Sequence, residues 1–217
     1  MTALLVRTAL AYLLGCIVGS LVIGALRGVD IRTLGSGNAG ATNALRTQGK
    51  AIGVTVFVID FAKGWLATAW LAHAALPMLL PSPPALAAWN VPLCGLGVML
   101  GHVYPACFGF RGGKGVATLA GVILGISALL LAVFVASWLV VVVLSGYVGL
   151  ASIVGAIAVA VAVAAGNFEP RAPLTAFALL AALLVLYTHR ANLARMRAGS
   201  ESRARRLWLL RPRGPAG

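Results

Sequence analysis

Acidic side chains are nearly absent from this 217-residue chain: Asp30, Asp60, Glu169 and Glu201 stand against 17 lysines and arginines. So few carboxylates disfavour carboxylate-pair hydrolysis and magnesium-dependent phosphoryl transfer. Cysteine is also scarce. Cys16, Cys94 and Cys107 lie in apolar stretches without metal-ligand spacing, so they read as free thiols, not as disulfides or a zinc site. Charge of either sign totals 10% of residues, well below the roughly one quarter usual in soluble domains. Long polar runs are missing too, and no soluble domain is expected.

Apolar residues are abundant instead. They make up 61% of the chain, and the mean hydropathy is +0.99. A soluble fold could not cover that surface, whereas a bilayer accepts helices of roughly 20 apolar residues. The apolar runs predict helices over 4–26, 51–75, 85–107, 116–130, 131–146, 149–166 and 172–189. The stretch 116–146 is too long for one ordinary span, and a division near Leu129–Leu131 is expected. The N-terminal segment has no small-x-small cleavage site and reads as a retained helix.

The net charge of +13 is unevenly placed. Arg190 to Arg213 holds eight arginines and one acid, Glu201. A basic tail after an apolar helix marks the cytoplasmic side and meets anionic lipid. No aromatic platform accompanies it, so nucleic acid is not an expected partner. Seven spans place the tail, the 27–50 loop, the 108–115 loop and the 146–148 turn on one side, inside. Pro81-Ser82-Pro83-Pro84 and Asn167-Phe168-Glu169-Pro170-Arg171 fall outside. Six spans would lose this bias. The expected fold is an all-α integral membrane protein of seven transmembrane helices, with glycine-rich cytoplasmic loops forming the site.

Two such loops stand out. In the first, Gly35, Gly37 and Gly40 let the backbone approach a ligand closely, and successive N–H groups can form an anion nest. Ser36, Asn38, Thr42 and Asn43 add neutral hydrogen-bonding groups, and Arg46 adds a fork suited to phosphate oxygens. The second, Gly109-Phe110-Arg111-Gly112-Gly113-Lys114-Gly115, opens an apolar helix, as an anion site would. Its spacing is not that of a Walker A loop. Lysine is rare here, limited to Lys50, Lys63 and Lys114, which suggests positions where a compact ammonium is needed.

Asp60 and Lys63 share a face of the second span. They form either an ion pair that fixes helix packing or part of the site. His102 ends the third span, in a capping or a chemical role. His189 and Asn192 bracket the end of the last one. His73, near the outer end of the second span, reads as an interfacial residue.

These residues carry a resemblance. Leu34-Gly35-Ser36-Gly37-Asn38 through Thr42-Asn43 and Arg46, then Asp60-Phe61-Ala62-Lys63-Gly64, then Gly101-His102-Val103-Tyr104-Pro105 through Phe110-Arg111-Gly112-Gly113-Lys114-Gly115-Val116-Ala117-Thr118, then His189-Arg190-Ala191-Asn192 and Arg195, resemble the bacterial acyl-phosphate-dependent glycerol-3-phosphate acyltransferases. The resemblance implies a multi-pass protein of the bacterial inner membrane with its site facing the cytoplasm. One acyltransferase domain over 1–217 would end in a basic tail, 190–217. The reaction implied is acyl transfer from acyl phosphate to the sn-1 hydroxyl of glycerol 3-phosphate. It yields lysophosphatidic acid and inorganic phosphate, the first acylation of phospholipid synthesis.

By position, Ser36, Arg46, Lys114, His189 and Asn192 would hold glycerol 3-phosphate and phosphate. Asn38, Thr42, Asn43 and the glycines Gly35, Gly37, Gly40, Gly112, Gly113 and Gly115 would cradle acyl phosphate. Asp60, Lys63, His102 and Arg111 complete the expected substrate-binding set, and Glu201 matches a structural glutamate. No cofactor or metal is implied. Membrane lipid is an expected partner, and the enzyme that forms the acyl phosphate is a candidate one. Gly149 stands where many members have serine, and Arg111 where lysine is common. The acceptor's own phosphate or His189 would take the hydroxyl proton.

Two rivals are weaker. A transporter of an anionic solute would need re-entrant loops reaching the midplane from both sides, but the polar blocks cluster on one side. A His-x4-Asp acyltransferase lacks its pair, because Met78, Cys107 and Ala194 stand five residues beyond the three histidines.

Overall fold

The structure is a computed structural model that describes residues 1–74, 83–204 and 207–210. Part of the expected outer loop, Pro81 and Ser82, and residue 75 of the second expected helix lie outside them. Among the described residues every regular element is helical. In chain order these are α1 (Thr2–Gly15), α2 (Gly19–Leu26), α3 (Ala41–Thr47), α4 (Lys50–Ala69), α5 (Pro84–Ala87) and α6 (Asn90–Val103). Then come α7 (Val116–Ile126), α8 (Ala128–Ser145), α9 (Val148–Ala165), α10 (Arg171–Thr188) and α11 (Arg190–Arg197).

By length and composition, five segments among the described residues can cross a bilayer: Lys50–His73, Pro84–Phe108, Ala128–Ser145, Val148–Ala165 and Arg171–Thr188. The expected first span, 4–26, is two helices bent by 48°, and counted together they make a sixth. The remaining expected segment is α7. Its 11 residues reach about 16 Å, well short of a hydrocarbon core of roughly 30 Å. The length criterion therefore stops at six, one short of the seven that charge placement suggests. The α7–α8 division falls at Ser127, with extended backbone (φ −163°, ψ 126°), slightly before the expected Leu129–Leu131.

The break in the first span has an identifiable cause. α1 ends by presenting carbonyl groups, and α2 begins by presenting N–H groups, with no helix to satisfy them. Lys63 of α4 donates from Nζ to the carbonyls of Gly15 (2.9 Å) and Ile17 (2.8 Å). Asp60 Oδ1 accepts the Gly19 N–H at 3.1 Å. The cation faces the negative helix end and the anion faces the positive one, as the helix dipoles require. The two also pair with each other at 3.0 Å. His102 Nδ1 lies 2.9 Å from Lys63 Nζ and 3.3 Å from Asp60 Oδ1. All three side chains are buried.

Removing one member would leave its partner charged and uncompensated. Lys63→Ala is expected to lower stability by about 3–5 kcal/mol, read as thermal or denaturant unfolding in detergent.

Packing between α4 and α7 is backbone-to-backbone, because a side chain on Gly121 would strike the Phe61 carbonyl. Small residues allow this close approach in membranes. A core of buried aliphatic residues runs through α6, α7, α9 and α10, and includes Val98, Val122, Val159 and Val185.

Candidate active site

The first glycine block folds against its own helix. Asn43 on α3 is buried. Its Oδ1 accepts the Ser36 N–H at 2.9 Å, and its Nδ2 donates to the carbonyls of Leu34 (3.0 Å) and Ile31 (3.3 Å). Asn43 thus holds the loop in shape, where a substrate contact was expected. The N–H groups of Gly40, Ala41 and Thr42 have no acceptor among the described residues, as a helix start leaves them.

Arg32 joins this loop to the second one. Its Nη1 donates to the carbonyls of Phe108 (2.9 Å) and Arg111 (3.2 Å). Its Nη2 pairs with Asp30 at 2.8 Å, and hydrogen bonding from Arg32 holds the Asp30 carboxyl below its ordinary pKa.

The second glycine block corrects an expectation. The N–H groups of Gly112 and Gly113 donate to the carbonyls of Val103 (3.0 Å) and His102 (3.1 Å). They are not free to cradle an anion. A side chain on Gly113 would collide with the His102 ring. These glycines lock the loop onto the end of α6 and thereby set where Lys114 stands. Arg111 is exposed and directs its carbonyl, not its charge, to a partner.

Lys114 meets the last helices. Its backbone carbonyl accepts from Thr188 Oγ1 at 3.2 Å, and its Nζ contacts Asn192 Oδ1. Asn192 Nδ2 donates to Glu201 Oε1 at 2.6 Å, and Arg195 Nε donates to Glu201 Oε2 at 2.6 Å. Glu201 therefore orients Asn192 as well as pairing with an arginine. Arg46 Nη1 donates to Ser202 Oγ at 2.9 Å. That bond puts the 27–50 loop and the tail on the same side, as the charge distribution predicts.

His189 is buried where α10 gives way to α11. Its Nδ1 lies 2.8 Å from the Val185 carbonyl, which only accepts, so Nδ1 carries the proton and Nε2 offers a lone pair. Burial lowers its pKa to about 4, leaving the ring neutral near pH 7.

One cavity of about 990 Å³ collects these groups. Its polar end is lined by Gly35, Ser36, Asn38, Gly40, Thr42, Asn43, Arg46, Lys114, Gly115, His189 and Asn192. Arg195, Glu201 and Ser202 join them. Asp60 and His102 also border it, whereas Gly37, Lys63, Arg111, Gly112 and Gly113 are not among the lining residues. Arg46, Lys114 and Arg195 against one Glu201 make this end cationic.

The other end is an apolar cleft. Phe57 and Phe61 of α4 form one wall, Leu131, Phe134 and Trp138 of α8 form the other, and Ala117 and Ala120 of α7 lie between them. Leu131 is about 21 Å up α8 from its tail-side end. Among the described residues no group of three His, Cys, Asp or Glu could hold a metal.

Sequence reasoning does not reach α3, α11 or the pocket-lining role of Ser202. A signal for the end of α11 exists in Gly199, which takes φ +69°. The Ser200 N–H then returns to the Arg195 carbonyl at 2.9 Å, a common glycine helix stop.

A family model described as glycerol-3-phosphate acyltransferase matches residues 5–199. The chain belongs to the glycerol-3-phosphate acyltransferase family. It is 44% identical over 200 residues to the glycerol-3-phosphate acyltransferase of Bordetella pertussis, covering 89% of this chain and 88% of that one. Two crystal structures of PlsY, an integral membrane glycerol 3-phosphate acyltransferase, share the fold. The glycerol 3-phosphate form has a TM-score of 0.81 and 36% identity, covering 94% of this chain and 96% of that one. The lysophosphatidic acid form has a TM-score of 0.79 and 34% identity, covering 95% and 98%. Both of those structures are of an integral membrane protein, in keeping with the apolar helices described here.

Proposed function

We propose that this chain transfers an acyl group from acyl phosphate to the sn-1 hydroxyl of glycerol 3-phosphate, releasing inorganic phosphate and lysophosphatidic acid. The observation that carries the reading is one cavity that joins a cationic, donor-rich end to an apolar cleft. Such a space fits a substrate with a phosphate at one end and a fatty chain at the other. The whole of 1–217 acts as one membrane-embedded acyltransferase. Its site faces the cytoplasm of a bacterial inner membrane, with α7 completing seven membrane segments and the basic tail on the same face as the site.

The chemistry needs placement more than activation. The glycerol hydroxyl attacks the acyl carbonyl carbon, an ester C–O bond forms, and the bond to the phosphate oxygen breaks. Arg46, Lys114 and Arg195 offset the repulsion between two anionic substrates and stabilise the departing phosphate. Holding the partners in line can supply roughly 7–11 kcal/mol. Ser36, Asn38 and Thr42 add hydrogen-bonding groups, and Asn192 presents its amide beside Lys114.

His189 Nε2 accepts the hydroxyl hydrogen bond and aims the oxygen. With a pKa of about 4 it is a poorer resting place for the proton than a phosphate monoester, whose second pKa is about 6. The acceptor's own phosphate therefore takes the proton. The transporter alternative gains nothing from this geometry, because the cations Arg46, Lys114 and Arg195 gather at one end of the cavity, while Asp60 on its border is already paired with Lys63.

The test is donor choice. The protein in detergent should release phosphate from palmitoyl phosphate only when glycerol 3-phosphate is present. Equal turnover with acyl-CoA would sink the reading, and movement of an anionic solute across liposomes would favour the transporter.

A pH profile adds a second check. Burial and the nearby Arg195 lower the Lys114 pKa to about 8. The ammonium is charged below that value and neutral above it. kcat/KM should accordingly fall as pH rises through about 8, and the fall should move to higher pH in any active Lys114→Arg enzyme. An unchanged upper limb in that variant would remove Lys114 as its source.

A further inference from the structure

Lys114 and His189 come from different parts of the chain, yet acyl transfer needs them at a fixed separation, one at the departing phosphate and one at the attacking hydroxyl. Lys114 lies in the loop that opens α7, and His189 ends α10. α10 packs chiefly on α9 and α6, so the loop before α7 owes its place beside α10 to polar contacts. Among the described residues two hydrogen bonds join residues 109–115 to α10 and α11. One runs from the Lys114 ammonium to Asn192 Oδ1. The other is made by Thr188, the last residue of α10, whose Oγ1 lies 3.2 Å from the Lys114 carbonyl.

Thr188 has one hydroxyl proton and two carbonyls within reach. The second is that of Val185, 3.0 Å away. It already accepts the His189 N–H at 3.1 Å and the His189 Nδ1–H at 2.8 Å, which fills its two lone pairs. The Lys114 carbonyl is in the opposite state. The first bond of α7 runs from the Leu119 N–H to the Gly115 carbonyl, and no backbone N–H among the described residues donates to Lys114. The hydroxyl proton therefore goes to Lys114. Thr188 is not among the residues that line the cavity, so it touches no substrate.

We propose that Thr188 is a positioning residue: its hydroxyl ties the Lys114 backbone to the turn that carries His189, and so sets the distance between the two groups. Without that donor the Lys114 carbonyl is left unpaired in a half-buried place, which costs free energy, and the loop shifts to reach water. The effect on turnover rests on the acyl-transfer reading; the tether itself does not.

The test has an arm for each. Thr188→Val keeps the branched shape and removes the donor, whereas Thr188→Ser keeps the donor and loses a methyl group. In phosphate release from palmitoyl phosphate with glycerol 3-phosphate, Thr188→Val should lower kcat by about 10- to 100-fold, the scale of a misplacement of about 1 Å. Thr188→Ser should recover most of it. In a Lys114→Ala background the same valine should cost no more than about twofold, since residues that act through one contact are not additive. The second arm uses no substrate. The chain has three lysines, of which Lys63 is buried and Lys50 is exposed. Acetylation of Lys114 relative to Lys50, read by mass spectrometry, should rise severalfold in Thr188→Val and stay unchanged in Thr188→Ser. Wild-type kcat in the valine enzyme, or its full loss repeated in the Lys114→Ala background, would overturn the positioning role. Equal losses in the valine and serine enzymes, with lowered melting temperatures, would make Thr188 a packing residue and overturn it as well. Unchanged acetylation of Lys114 would overturn the tether. A wild-type protein that releases no phosphate would instead sink the acyl-transfer reading, and the acetylation arm would still decide the tether.

Discussion

Lys114→Ala should lower kcat/KM by about 10²–10³, the loss usual when one donor to developing charge is removed. Lys114 stands where the second glycine loop meets the last helices. Its loop is fixed from behind by the Gly112 and Gly113 N–H groups, its carbonyl by Thr188, and its ammonium contacts Asn192. The backbone would keep this course without the side chain, so folding should be spared. The loss should then fall on turnover and not on yield.

Lys114→Arg keeps the charge but replaces a compact ammonium with a broad planar fork. The space beside Asn192 is already filled by that contact, so recovery should be poor. Near-normal activity of the arginine enzyme would mean that Lys114 supplies only general positive potential. The measurement is kcat/KM for both variants beside their melting temperatures.

His189→Ala and Asn192→Ala should each lower kcat by about 10²–10⁴, the range for lost acid–base or positioning groups. The two residues sit three positions apart where α10 passes into α11, and both are buried yet border the cavity. His189 is held by its Nδ1 bond to Val185, which leaves Nε2 unprotonated on a side chain that borders the cavity. Asn192 is held by Glu201. Glu201→Ala should therefore lower turnover less than Asn192→Ala while lowering the melting temperature more. It frees Arg195 and loosens the tail, and on the proposed reading it acts on turnover through the two side chains it holds, Asn192 and Arg195. Wild-type kcat in both His189→Ala and Asn192→Ala would make the last helices scaffold alone and return the chemistry to the two glycine loops.

The membrane helices are legible in the sequence because the bilayer imposes a length and an apolarity that few other settings allow. Charge placement is legible for the same reason, and Arg46 bonded to Ser202 joins the two regions that the arginine bias puts on one side. The site is legible as a set of donors, but not in its division of labour. Asn43, Gly112 and Gly113 look like ligands by type, yet their hydrogen bonds are spent on the protein's own backbone. Residue type announces a donor; only the fold says whether the donor is already taken. Lys63 shows the same limit in reverse. Its pairing with Asp60 follows from helical spacing, but its task of closing a broken helix depends on Gly15 and Ile17, more than forty residues away. Tail residues such as Ser202 reach the cavity through a turn that no periodicity reveals.

The bent first span also bears on how the chain enters its membrane. Alone in hydrocarbon, α1 and α2 would expose the Gly15 and Ile17 carbonyls and the Gly19 N–H, each costing several kcal/mol. α4 alone would carry Asp60 and Lys63 into the same medium, at about 2.5–3.5 kcal/mol apiece. Each segment holds what the other lacks: the ion pair on α4 satisfies the gap, and the gap solvates the ion pair. Biogenesis is thus coupled across the loop that joins them. The N-terminal segment is a poor independent insertion unit, and it leaves the translocation machinery for lipid on favourable terms only in the company of α4.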